Sequence, residues 1–100
     1  MNHKDLYKKA FGYTEGDFVA CEICGKSAPD VHHIEARGMG GTTKPDTIEN
    51  LIGVCRKCHI EYGDKKQHKS MLYRTHRMRM REHGVKFNEE LITELIYKYE

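Results

Sequence analysis

Val54-Cys55-Arg56-Lys57-Cys58-His59 places two cysteines three positions apart and follows them with a histidine, at the start of a helix that the pattern carries toward Tyr62-Gly63. The same spacing recurs upstream in Cys21-Glu22-Ile23-Cys24-Gly25, where Gly25 relieves the backbone of a tight turn. Two such knuckles offer Cys21, Cys24, Cys55 and Cys58 as four thiolates to one tetrahedral Zn²⁺, at Zn–S distances of about 2.3 Å. Disulfide pairing is the first alternative, disfavoured because nothing marks the chain as secreted and cytosolic thiols stay reduced. A thioredoxin-like redox pair is the second, and it fits poorly because the motif is duplicated and no βαβ pattern surrounds it. A closed four-thiolate site stabilises a fold but has no open position for water, so any chemistry must come from other side chains.

The need for such a staple follows from size. The chain has 100 residues, 38% of them hydrophobic, with no Trp, three Phe and six Tyr. A domain this small buries only about 60–65% of its unfolded surface, and a thin core calls for a metal or covalent brace. No run approaches the roughly 18 apolar residues of a membrane span. Met1-Asn2-His3-Lys4-Asp5 also lacks the apolar stretch of a secretory signal, so a cytoplasmic protein without membrane partners is expected.

One domain is expected over residues 1–100: a capping helix in 1–16, a core in 17–66, and a basic helix followed by an amphipathic one in 67–100. Leu6, Tyr7, Ala10 and Phe11 share one helical face that Gly12 ends. Val31-His32-His33-Ile34 reads as a short extended run, Arg37 to Asp46 as a Gly-rich loop, and Ile48 to Val54 as an apolar stretch leading into Cys55. Ser70 to Glu82 reads as a helix turning Met71, Leu72, Thr75, Met78 and the Arg79 stem to one side, with Gly84 as its stop. Asn88 is placed to cap a last helix with Glu89 and Glu90 in its first turn, and Leu91, Ile92, Leu95, Ile96 and Tyr99 follow at helical spacing. Core packing accounts for that stripe without a cofactor or partner.

Charge is unevenly spread. The net charge is only +2, from 17 Lys and Arg against 15 Asp and Glu. Residues 65–86 nevertheless carry Lys65, Lys66, Lys69, Arg74, Arg77, Arg79, Arg81 and Lys86 against Glu82 alone. Such a segment suits an anionic polymer, although a solvated helix face would look the same.

Between and beside the knuckles lie His32, His33, Asn50 and His59. In an extended run His32 and His33 point to opposite faces, so one ring can bind a metal while its neighbour addresses a substrate. Together with Cys21 to Gly25, Arg37, Gly40-Gly41, Glu49-Asn50-Leu51 and Val54 to His59, this set resembles the HNH endonucleases, in particular the small four-cysteine type found in bacteriophages. The resemblance spans residues 17–66.

That resemblance implies a small α+β fold: a ββα-metal core braced by a structural Zn(Cys)₄ site and flanked by an N-terminal helix and C-terminal helices. It implies a metal-dependent DNA endonuclease in which His33 is the general base, His32 and His59 ligate the catalytic divalent ion, and Asn50 orders the loop holding His33. Elementary chemistry agrees. Phosphodiester hydrolysis needs a water deprotonated near neutral pH and a cation where negative charge builds, and the product would carry a 5′-phosphate.

Some members place a second ligating histidine four residues after His59, where this chain has Gly63. Glu61 falls on the wrong helix face and Asp64 is one residue out of phase, so two protein ligands plus waters are expected, with Mg²⁺ or Mn²⁺ favoured over softer divalent transition metals. Double-stranded DNA is the expected partner, gripped by Arg37, Lys44, Arg56 and Lys57 near the motif and by Arg74, Arg77 and Arg81 beyond it, with little sequence preference. Phage-borne relatives work beside terminase and portal proteins, which would place such a protein in the bacterial host cytoplasm. The alternative is a non-catalytic zinc-ribbon module that binds nucleic acid.

Overall fold

The computed structural model describes residues 2–35 and 46–100. Helix α1 (His3–Phe11) starts where the Asn2 side chain accepts from the Asp5 N–H and ends at Gly12, whose left-handed conformation (φ 78°) closes the cap. It turns Tyr7 and Phe11 into the core. Strands β1 (Asp30–His33) and β2 (Leu51–Val54) form a two-stranded antiparallel sheet in the register Asp30 to Val54, Val31 to Gly53, His32 to Ile52 and His33 to Leu51. A single 3₁₀ turn (Ile48–Asn50) leads into β2, and helix α2 (Arg56–Tyr62) leaves it through Cys55, which caps the helix with its own sulfur. Helices α3 (Lys69–Glu82) and α4 (Glu89–Lys98) pack on each other and complete the core. The structure is thus the small α+β arrangement expected, with two strands and four α-helices among the described residues. No helix among the described residues is long and apolar enough to cross a membrane.

One apolar cluster runs from α1 to α4 and includes Tyr7, Phe11, Ile34, Leu51, Ile52, Val54, Leu72, Tyr73, Met80, Ile92 and Ile96. Its centre holds a polar network that composition did not foretell. Glu22, buried inside the first knuckle, accepts from Tyr7 Oη (2.6 Å) and from the Gly53 N–H (3.2 Å). His76 of α3 is fully buried, sets Nδ1 against both Glu22 oxygens (2.9 and 3.1 Å) and donates from Nε2 to the Ile48 carbonyl (2.6 Å). These bonds tie α1, the knuckle, β2 and α3 together in a region where an unpaired polar group would be costly. Burial and the adjoining Glu22 carboxylate push the Tyr7 hydroxyl's pKa far above its usual range, so it stays a donor.

Gly53 is where this network meets the sheet. A Cβ there would lie 2.7 Å from Tyr7 Oη and 2.9 Å from its Cζ, closer than carbon atoms approach. Gly53→Ala should therefore cost about 1–3 kcal/mol of overpacking. For a chain of this size that lowers Tm by several degrees or more, roughly 4–8 °C per kcal/mol. A melting curve matching the parent's would mean that Tyr7 yields freely.

The inward face of α3 differs from the one expected. Leu72, Tyr73, His76 and Met80 are buried, whereas Met78 is 47% exposed. The face is rotated because a tyrosine and a histidine, both with polar atoms to satisfy, occupy core positions that a hydrophobicity pattern assigns to methionines. Gly84, at φ 67°, then ends the helix, with its N–H on the Arg81 carbonyl and the Val85 N–H on the Met80 carbonyl. Asn88 caps α4 by accepting from the Leu91 N–H, and Ile92 and Ile96 are its buried residues. The apolar stripe of α4 thus faces inward.

Candidate active site

Each knuckle is closed by backbone bonds. The Gly25 N–H donates to the Cys21 carbonyl (2.9 Å), with Gly25 at φ 82°, and the His59 N–H donates to the Cys55 carbonyl (2.9 Å). The four sulfurs of Cys21, Cys24, Cys55 and Cys58 all lie within 4.8 Å of one another. Cys24 and Cys55 Sγ are 3.6 Å apart, and Cys55 Sγ accepts from the Cys58 N–H at 3.4 Å. That N–H draws the Cys55 thiol down to about 7, whereas burial pushes the Cys58 thiol up. Four sulfur donors converging without a disulfide fit a tetrahedral metal ion. This is the cluster that the cysteine spacing predicts.

The sheet displays the histidines as strand alternation requires. Asp30 and His32 point toward α2, and His33 points away. His32 is buried and its Nε2 donates to the Gly63 carbonyl (2.5 Å). Burial depresses its pKa and keeps the ring neutral, the form that can ligate a metal. Its ring lies beside that of His59, with centroids 4.7 Å apart. His59 Nδ1 is bonded to Asp30 Oδ2 (3.0 Å), and the same carboxylate receives Arg56 Nε (3.1 Å). These bonds, His59's above all, hold the Asp30 carboxyl below the usual carboxylate range.

Gly63 lies just past the last residue of α2. A Cβ on it would overlap the His59 carbonyl and come within 2.7 Å of the His59 ring, so this backbone path has no room for a side chain at the position where some relatives place a histidine. Asp64 follows after the helix has ended, which removes the phase argument against it, and its Oδ1 comes within 3.9 Å of His32 Nε2. Two imidazoles, the Gly63 carbonyl and the Asp64 carboxylate thus gather in one corner of the molecule.

On the other face, His33 Nε2 is 2.6 Å from Asp46 Oδ1, and the His33 ring packs 4.7 Å from that of His3. The turn after β1 is clasped by Asn50. Its Oδ1 accepts from the Glu35 N–H (2.8 Å) and its Nδ2 donates to the Glu35 carbonyl (3.0 Å). Tyr73 Oη reaches Asn50 Oδ1 at 3.5 Å, and Tyr99 Oη bonds the buried Glu35 carboxylate, which with burial pushes the Tyr99 hydroxyl up to about 12.

The basic residues are less free than the sequence suggests. Lys57 is exposed, but Arg56 lies on Asp30. On α3, Arg74 meets Glu100, Arg77 donates to Thr93 Oγ1 (3.4 Å) and Arg81 grips Glu89 at 2.6 and 3.1 Å. Arg37 and Lys44 lie outside the described residues. Sequence reasoning missed Asp30, Asp46, Glu22 and His76. The Asp30-x-His32 spacing, which puts a carboxylate and an imidazole on one strand face, was the one available signal among them.

The profile of the HNH endonuclease family matches residues 21–65, the segment holding both knuckles, both strands and α2. Over these residues the chain is similar to the HNH endonucleases. The Type IV methyl-directed restriction enzyme EcoKMcrA of Escherichia coli (strain K12) is 34% identical over 62 residues, covering 52% of this chain and 21% of that protein. The chain therefore spans about a fifth of the length of this curated relative. No solved structure matches.

Proposed function

We propose that this chain is a metal-dependent endonuclease that hydrolyses phosphodiester bonds of double-stranded DNA. The observation that carries the reading is the arrangement of His32 and His59 side by side, with His33 on the opposite face of the same strand, inside an HNH segment. A DNA restriction enzyme among the relatives supports DNA as the substrate, while methyl direction belongs to a protein of which only 21% is covered and is not transferred.

His33 acts as the general base. With Asp46 holding Nε2, its remaining ring nitrogen takes the proton of the attacking water, and the carboxylate steadies the resulting imidazolium. His32 and His59 would hold a divalent ion, Mg²⁺ or Mn²⁺, which would supply positive charge where negative charge builds on the phosphate. Asn50 keeps the turn after His33 in place through its paired bonds to Glu35. A 5′-phosphate is the expected product. The ion of the four-cysteine cluster is zinc, with a purely structural role. Lys57 and the α3 arginines take up DNA phosphates, the arginines exchanging carboxylate partners for phosphate ones. Little sequence preference is expected, because nothing in the chain resembles a base-reading module. A place beside terminase and portal in phage genome packaging, in the host cytoplasm, rests on the resemblance alone.

The test is a supercoiled-plasmid assay run metal by metal. Nicked and then linear product in Mg²⁺ or Mn²⁺, with none in chelator, is the expected result. DNA retardation with no cleavage in any metal would leave the non-catalytic zinc-ribbon module instead.

A further inference from the structure

Asp30 has no part in the mechanism above, yet it is the best-held carboxylate near the paired histidines. It opens β1, and two-residue alternation sets it on the same face as His32, looking at the first turns of α2. Its side chain is 18% exposed, and Oδ2 takes both His59 Nδ1 (3.0 Å) and Arg56 Nε (3.1 Å), while Oδ1 faces the second Arg56 nitrogen (3.4 Å). Arg56 is the first residue of α2 and His59 the fourth, so one carboxylate grips two positions about one turn apart on a helix whose start is fixed by the Cys55 sulfur.

The bond to His59 has a chemical consequence. A neutral imidazole carries one proton, and a carboxylate acceptor at Nδ1 keeps it there, leaving the Nε2 lone pair free on the side of the ring away from Asp30. We propose that Asp30, itself steadied by Arg56, is a positioning residue that fixes His59 as an Nε2 metal donor. The inference rests on the reading of His59 as a metal ligand. It concerns a residue that never touches substrate, and it makes the Asp30-x-His32 pair a single device in which one residue binds the ion and its strand neighbour aims the other ligand. Partners of this kind typically alter metal affinity by about 10–100-fold.

Two measurements on the full chain with its four-cysteine site loaded test this. In the first, ¹⁵N-detected NMR of the histidine rings, without added Mg²⁺ or Mn²⁺, should show His59 protonated at Nδ1 in the parent protein. Protonation at Nε2 would overturn the proposal, and this readout needs no variant to fold. In the second, titration with Mn²⁺ should show Asp30→Ala binding about 10–100-fold more weakly, with His59 divided between tautomers. Parent-like affinity with an unchanged His59 signal would overturn it as well. Failure of the nuclease reading shows separately, as absence of plasmid cleavage by a parent protein that still binds Mn²⁺ and still shows the Nδ1 tautomer.

Discussion

Cys58→Ser is expected to unfold the chain outright, as is stripping the four-cysteine site with a strong chelator. The reason is one of scale. Structural zinc in small domains contributes about 10–16 kcal/mol at neutral pH, and domains as a rule are stable by only about 5–15 kcal/mol. Here the cluster joins two segments 31 positions apart, at Cys24 and Cys55, beside a sheet that has two strands among the described residues. Cys55 also caps α2 with its sulfur, so loss of the ion removes the cross-link and loosens the helix start that aims His59. Cys24→Ser tests the same idea from the solvent side, since Cys24 is the exposed member of the four. Circular dichroism melts of both variants, and of the parent with chelator, should lose the cooperative transition. A Cys58→Ser variant melting like its parent would refute the structural role of the site.

His33→Ala should abolish plasmid nicking while leaving the fold and Mn²⁺ binding as they were. General bases contribute about 10²–10⁴-fold, which would put residual cleavage near the background of such an assay. His33 is suited to separate chemistry from structure: its side chain is 21% exposed, it points away from α2, and it contacts Asp46 and the tilted ring of His3. The informative comparison is with His32→Ala, which removes a buried ring bonded to Gly63 and should weaken Mn²⁺ binding together with cleavage. Cleavage undiminished in His33→Ala would remove this residue as the base. Loss of Mn²⁺ binding in His33→Ala would instead move it into the metal site.

Much of the frame was readable in the sequence because it is written in local signals. The two Cys-x-x-Cys turns, the stops at Gly12 and Gly84, the Asn88 cap and the apolar stripe of α4 each depend on residues within a few positions of one another. What escaped is non-local. Glu22 and His76 are 54 positions apart and meet only once α3 lies across the knuckle, and no periodicity marks a histidine as the centre of a basic helix's buried face. The same holds for Asp46 beside His33, and for the α3 arginines, whose charge the sequence shows but whose partners it does not. The helical phase that speaks against Asp64 stops applying because α2 ends at Tyr62.

The clasp on the turn after β1 bears on how this protein can be cut and rejoined. Glu35 and Asn50 lie within the HNH segment, but Tyr99 and Tyr73, which hold them, lie beyond it, as does His76, which secures Glu22; Tyr7 precedes it. Residues 21–65 excised as a cassette would keep the cysteines and the histidines while leaving three buried polar side chains without their outside partners. An engineer grafting this segment onto another protein must therefore carry α1, α3 and α4 along with the motif, because the helices that look like packaging are the outer half of its polar interior.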